Sequence, residues 1–178
     1  MSVAGNNKIL SALADLYPDA KVTVAIQPLS TVDYEAQKYK HFSRRALGGA
    51  IGIIRNSSGR IVLVERSGMH AGWALPGGTV EEGEDFEIAF RREITEETGI
   101  FLEKTRLVEI EQKTFTSPQG EGFDFILAVF TARMQEDELP GETEDAIAEG
   151  LNVALFDPAA VPSQMILGDR EKIARHAV

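Results

Sequence analysis

Carboxylates on the face of a helix that should be apolar constrain this chain more than any other feature. The stretch Gly77–Ile100, GGTVEEGEDFEIAFRREITEETGI, opens on two glycines and carries a third, Gly99, just before its end. Asp85–Thr98 reads as a helix, and Gly99 suits the left-handed residue that follows one. On a wheel at about 100° per residue, Phe86, Ala89, Phe90 and Ile94 form a single apolar stripe. The same spacing continues to Glu93 and Glu97, and Glu96 sits on the edge of the stripe, one turn past Arg92. Glu93 and Glu97 are a like-charge i,i+4 pair, which weakens a helix by a few tenths of a kcal/mol. They also lie near the negative end of the helix dipole. Withdrawn from water, each carboxylate costs several kcal/mol unless it is paired. Arg91 and Arg92 cannot fully neutralise three acids, whereas a divalent cation can. An all-oxygen donor set suits Mg²⁺ or Mn²⁺. Acidic clusters on helices are more often solvated faces. Here the wheel places them on the apolar side, behind a glycine-rich loop, which favours the metal.

Composition removes other chemistries. The chain has 178 residues, enough for one domain, with or without an appendage, and for a substantial core. It has no cysteine, which excludes disulfides, thiol nucleophiles and thiolate metal sites. His41, His70 and His176 are too scattered for a helical zinc motif. No apolar run is long enough to cross a membrane, and the N-terminus lacks the basic start and apolar stretch of a secretory signal. Cytoplasm is the expected compartment. The formal charge of −10, from 18 basic and 28 acidic side chains, makes nucleic-acid polymers and anionic membranes poor partners. A small polyanion would need local cations or a metal to offset the repulsion.

Two regions are expected. Residues 1–45 hold a helical pattern from Asn6 to Leu16, stopped by Pro18, and then an alternating strand, Lys21–Pro28. After these comes a polar stretch, Thr31–Arg45, with Tyr34, Tyr39, His41 and Phe42 interleaved. This region reads as an arm or small subdomain, with a homodimer contact as one use, or equally as a packed decoration. Residues 46–178 are more regular. Leu47–Ile54 and Ile61–Glu65 read as a hairpin about the turn Asn56–Gly59. A loop leads through Gly68, His70 and Gly72 to Gly78, with His70 a solvated residue rather than a catalyst. Strands follow at Leu107–Phe115 and Phe123–Met134, then an acidic loop, Gln135–Glu149. A short strand, Val153–Phe156, and a helix, Asp169–His176, complete an α/β or α+β pattern.

Gly78, Glu84, Arg92, Glu93, Ile94, Glu96, Glu97, Gly99 and Ile100 stand at the spacing of the Nudix signature, with no departure, and Trp73-Ala-Leu-Pro-Gly77 looks like its usual lead-in. The chain therefore resembles the Nudix hydrolases from about Ala46 onward. The resemblance implies an α/β/α sandwich with a mixed sheet. It also implies Mg²⁺-dependent hydrolysis of a nucleoside diphosphate linked to another moiety. Carried over, Glu93 and Glu97 would be metal ligands, Glu96 a ligand or proton acceptor, and the Gly78 carbonyl a further ligand. Arg92 would orient a carboxylate, Glu84 would brace the loop–helix junction, and Gly99 would close the helix. The general base stays open among Glu96, ranked first, Glu93, and a later glutamate such as Glu121, Glu142 or Glu144.

The substrate side is less constrained. Arg66, at the end of the second strand of the hairpin, is a candidate phosphate contact or a plain strand-end cation. Phe115, Phe123 and Phe125 are core candidates, and one of them, Phe115 for choice, could stack on a base. Family subtypes carry a proline or tyrosine about sixteen residues past the box. Position 115 is Phe and the next proline is Pro118, which weakens the ADP-ribose and dinucleoside-polyphosphate assignments. A Nudix-type isomerase would need a cysteine that is absent. A Nudix-like ligand-binding or regulatory domain without catalysis is the alternative reading, and a purely structural acidic dimer a more distant one.

Overall fold

Alternating and helical patterns condense into a mixed sheet flanked by helices in the computed structural model, which describes residues 3–43, 45–67, 71–166 and 168–177. Gly68 and His70 lie outside the described residues. The order is α1 (Val3–Leu16), β1 (Lys21–Pro28), α2 (Thr31–Ser43), β2 (Gly48–Arg55), β3 (Ile61–Arg66), β4 (Gly72–Ala74), β5 (Gly77–Val80), α3 (Phe86–Thr98), β6 (Leu102–Thr116), β7 (Gly122–Met134), α4 (Glu144–Glu149), β8 (Asn152–Phe156) and α5 (Asp169–His176). The fold belongs to the α/β class.

The chain clusters into two units. The first comprises Met1–Ala50, Thr79–Ala89 and Leu107–Val129. Within it the strand order is β1-β6-β7-β2. β1 runs parallel to β6, from Lys21 opposite Glu109 to Pro28 opposite Thr116. Tyr34, from α2, is buried with Phe115 and Phe123, and Leu29 and Phe125 pack beside them. The His41 ring stacks on Phe123 at 5.5 Å between centroids. Residues 21–43 are thus packed on the sheet of this unit, and Phe115 belongs to its core. Phe115 is only 8% exposed, with Phe123 and Phe125 tilted against its ring at 5.3 and 5.9 Å between centroids.

The second unit comprises Ile51–Gly78, Phe90–Arg106 and Phe130–Val178. β2 and β3 join through a turn in which Asn56 Oδ1 accepts from the Arg60 N–H and the Ser58 hydroxyl, and Gly59 takes φ +82°. β3 pairs antiparallel with β4 and with β8. Ile53, Ile61, Leu63, Leu75 and Ile173 form the core, and Trp73 and Phe156 pack against it. Phe90 of α3 stacks on Phe130 of β7 at 4.8 Å. Gly52 admits this pair because any Cβ there would collide with the Phe90 ring.

Five elements depart from the sequence reading, the first being α2, a helix in the stretch read only as polar. The loop read through Gly72 to Gly78 holds β4 and the start of β5, strands of three and four residues, too short to display alternation. β6 starts at Leu102, because its first turns outward carry the exposed Glu103, Lys104 and Arg106 and mask the pattern. The acidic loop holds α4, capped by the Thr143 hydroxyl on the Ala146 N–H and closed by Gly150 at φ +64°. At six residues α4 is below the length at which helical periodicity shows.

Candidate metal and active site

Local chemistry sets the acidic helix. In the turn that precedes it, Glu84 accepts the Glu81 N–H at 3.2 Å, while its own N–H donates to the Glu81 carbonyl. Asp85 then caps α3, its carboxylate accepting from the Glu87 N–H at 2.8 Å. Gly99 ends the helix at φ +68°, its N–H donating to the Thr95 carbonyl. Phe86, Ala89, Phe90 and Ile94 are all buried, as the wheel requires.

Glu97 continues that stripe and is only 5% exposed. Its two oxygens are held from the glycine loop and from β3. The Gly77 N–H donates to Oε2 at 2.8 Å, and Arg66 Nη2 donates to Oε1. The same Arg66 nitrogen donates to the Gly77 carbonyl at 3.1 Å, so one guanidinium ties β3, the loop and the helix together. Burial pushes the Glu97 carboxyl above the usual carboxylate range. Arg66 and the Gly77 N–H pull it back, and the neighbouring Glu93 charge pushes it further up. Burial prevails, so the site has unused capacity for positive charge.

Glu93 and Glu96 share one cation, each accepting from Arg92 Nη1 at 2.9 Å. The Glu93 side chain is 17% exposed and that of Glu96 43%. A Cβ at Gly78 would collide with the Glu93 carboxylate, so the missing side chain lets the acid lie against the loop backbone. Loop and helix therefore bring Gly77, Gly78, Glu93 and Glu97 together. Among the described residues, no three acidic or imidazole groups converge as they stand on one metal position. Glu93 and Glu96 turn to Arg92, and Glu97 to Arg66. The donor types still fit a hard divalent ion. They are carboxylate and carbonyl oxygens, one of them on a buried acid that its protein partners do not fully compensate.

Arg66 is thus engaged with the helix carboxylate, and its Nη1 lies 3.9 Å from the Glu149 carboxylate. Glu142 and Glu144 flank Thr143, whose hydroxyl donates to the Glu96 carbonyl, so α4 is tethered to the end of α3. Glu121 is in the first unit, 3.8 Å from Lys38. Sequence reasoning missed Thr143, Glu149 and Asp169. Asp169 is buried and accepts the Leu75 N–H at 2.9 Å, which fixes the strand leading into the glycine loop. Its partner is 94 positions away, and no local pattern reports such a pairing.

Comparison with known proteins shows the family. A family model described as NUDIX domain matches residues 46–176. An ADP-ribose pyrophosphatase of Methanocaldococcus jannaschii is 30% identical over 127 residues, covering 69% of this chain and 74% of that protein. Nudix hydrolase 7 of Arabidopsis thaliana is 33% identical over 88 residues, 48% of this chain, and the chain spans 31% of that protein's length. The crystal structure of a MutT NUDIX hydrolase from Burkholderia pseudomallei superimposes with a TM-score of 0.55 at 26% identity, covering 72% of this chain and 95% of that one.

Proposed function

Since the chain belongs to the NUDIX family, we propose that it hydrolyses the diphosphate linkage of a nucleoside diphosphate joined to another moiety and releases a nucleoside monophosphate. The observation that carries this reading is Glu97, an acid buried at the end of an apolar stripe and gripped by the Gly77 N–H and Arg66. Such a carboxylate is costly for a chain that does not use it.

In this reading Glu93, Glu96, Glu97 and the Gly78 carbonyl hold a divalent cation, Mg²⁺ or Mn²⁺. The bound ion supplies charge withdrawal from the phosphate oxygens and a more acidic water. Arg92 is a positioning residue that keeps Glu93 and Glu96 on one side of the helix. Arg66, read from the sequence as a phosphate contact or a plain strand-end cation, is here a positioning residue for Glu97. Glu96 is the first candidate to accept the proton of the attacking water, because its carboxylate is the most solvent-accessible of the three. Glu93, and Glu142 or Glu144 beside the tethered Thr143, come after it. Substrate classes to test are nucleoside triphosphates, sugar nucleotides and ADP-ribose, the last named for the archaeal relative.

The test is a product assay with Mg²⁺ and that panel. A nucleoside monophosphate should appear from at least one substrate. Glu97→Gln should lower the rate by orders of magnitude and leave the circular dichroism spectrum unchanged. A non-catalytic ligand-binding domain would show nucleotide-dependent thermal stabilisation with no product from any substrate.

A further inference from the structure

Basic side chains gather at one place in the second unit of this acidic chain. A cavity of about 310 Å³ is lined by Arg55, Lys104, Arg106 and Arg133, with Ser57 and Thr131 among the polar groups. None of its described lining residues is Asp or Glu, although the sequence has 28 acidic residues against 18 basic ones. Lys104 and Arg106 are two apart on β6 and so share a face, as do Thr131 and Arg133 on β7. β6, β7 and β2 are successive strands, so the cations stand side by side across three of them. Cations converging on one cavity raise the local positive potential and draw anions to it.

Of these cations Arg55 is held in place, whereas Lys104, Arg106 and Arg133 are exposed. Arg55 is oriented by donation from Nη2 to the His176 carbonyl at 2.6 Å. Burial, and then the Arg133 guanidinium, push Arg55 below the usual arginine range, so these two groups lie in each other's field. The neighbouring acid, Asp137, is not among the lining residues but lies in the field of the Arg133 guanidinium, which, after the hydrogen bonds from Ser57, helps hold its carboxyl below the usual carboxylate range. It accepts from the Ser57 N–H at 2.8 Å and from the Ser57 hydroxyl at 2.6 Å. Arg55 pairs with Ile61 at the start of β3, and Arg66 ends that strand. Six extended residues separate the two places by about 17 Å.

We propose that this cavity binds a small multivalent phosphate anion, of the charge and size of pyrophosphate, at a site separate from the α3 glutamates. Guanidinium forks match phosphate oxygens in pairs, and several converging cations favour an anion of more than one charge over monovalent phosphate. The site does not rest on the hydrolase reading.

The experiment is calorimetric titration of the full chain with inorganic pyrophosphate at low salt in the presence of a metal chelator. The glutamate site then repels anions. Saturable binding is expected, weaker at higher ionic strength, with inorganic phosphate binding less tightly. The double variant Arg106→Ala with Arg133→Ala should bind at least about tenfold more weakly, since it removes two charge-assisted contacts. Both side chains are exposed, and matching melting temperatures without ligand will show that the variant folds. Glu97→Gln should leave the affinity unchanged. ADP binding as tightly as pyrophosphate would identify nucleotide phosphates as the source, and exclusion of ADP would identify the free anion. Absence of saturable pyrophosphate binding, or an unaltered affinity in the double variant, would overturn the site. So would binding lost in Glu97→Gln, or binding of a polyglutamate peptide without pyrophosphate.

Discussion

Gly78 shows how much one missing atom does. Its backbone needs no unusual dihedral, unlike that of Gly77 at φ +133°. What it supplies is space, because a Cβ would run into the Glu93 carboxylate. The obstruction is the far end of a flexible side chain, so the fold tolerates Gly78→Ala while the acid must move. Displacing a metal-holding group by an ångström costs about a hundredfold in rate. Gly78→Ala should therefore lose activity on that scale with little change in melting temperature, measured on the same preparation. An equally active variant would remove the proposed role of Glu93. Glu97 is the complementary case, held on both oxygens by Arg66 and the Gly77 N–H, so its position is set by β3 and the loop as well as by its own helix.

Among the elements, α3 depends on what β2 leaves open. Gly52 lets the Phe90 ring approach the strand closely, and Phe90 in turn stacks on Phe130. Gly52→Ala would overpack that contact at about 1–3 kcal/mol, read as a lower denaturation midpoint with an unchanged slope. In the first unit α2 carries a titration of its own. Burial among aromatic rings lowers His41 below the ordinary histidine value of 6.5. Above that value neither the folded nor the unfolded chain holds the proton, and the stability that depends on His41 is fully present. Below it the unfolded chain takes up a proton that the folded chain resists, and stability is lost as the pH falls through the folded pKa. His41→Phe keeps a ring against Phe123 and removes the proton site. Between about pH 8 and about pH 5 the variant should lose less stability than the parent in denaturant titrations. An identical pH profile would show that His41 charges freely in the fold.

At the scale of the molecule, the family match begins at residue 46 while the packing begins earlier. β1 lies in register along β6, and Tyr34 is 2% exposed against Phe115 and Phe123. A chain starting at residue 46 would uncover these rings, and the loss of Tyr34 burial alone costs about 2 kcal/mol. That truncated chain should melt at a lower temperature or precipitate, as judged by differential scanning fluorimetry and size-exclusion chromatography. Equal stability would show that residues 1–45 are an independent arm. Charge also acts at this scale. A formal charge of −10 repels small anions everywhere except where cations converge, which is why the cavity between Arg55 and Arg106 matters.

The acidic helix, its apolar stripe, its cap at Asp85 and its stop at Gly99 were determined by residues within two turns of one another, and periodicity and capping are local physics. The same holds for the hairpin at Asn56–Gly59 and for the strand at β1. Tertiary structure alone decided which arginine meets which acid. Arg66 and Glu97 are 31 positions apart, and Leu75 and Asp169 94. Their pairing depends on the placement of strand ends that no spacing rule encodes. It likewise turned Phe115 into core and put the cations of β2, β6 and β7 around one cavity. Contacts that close between distant segments are selected by the shape of the whole packed sheet, not by the short-range preferences of the residues that make them.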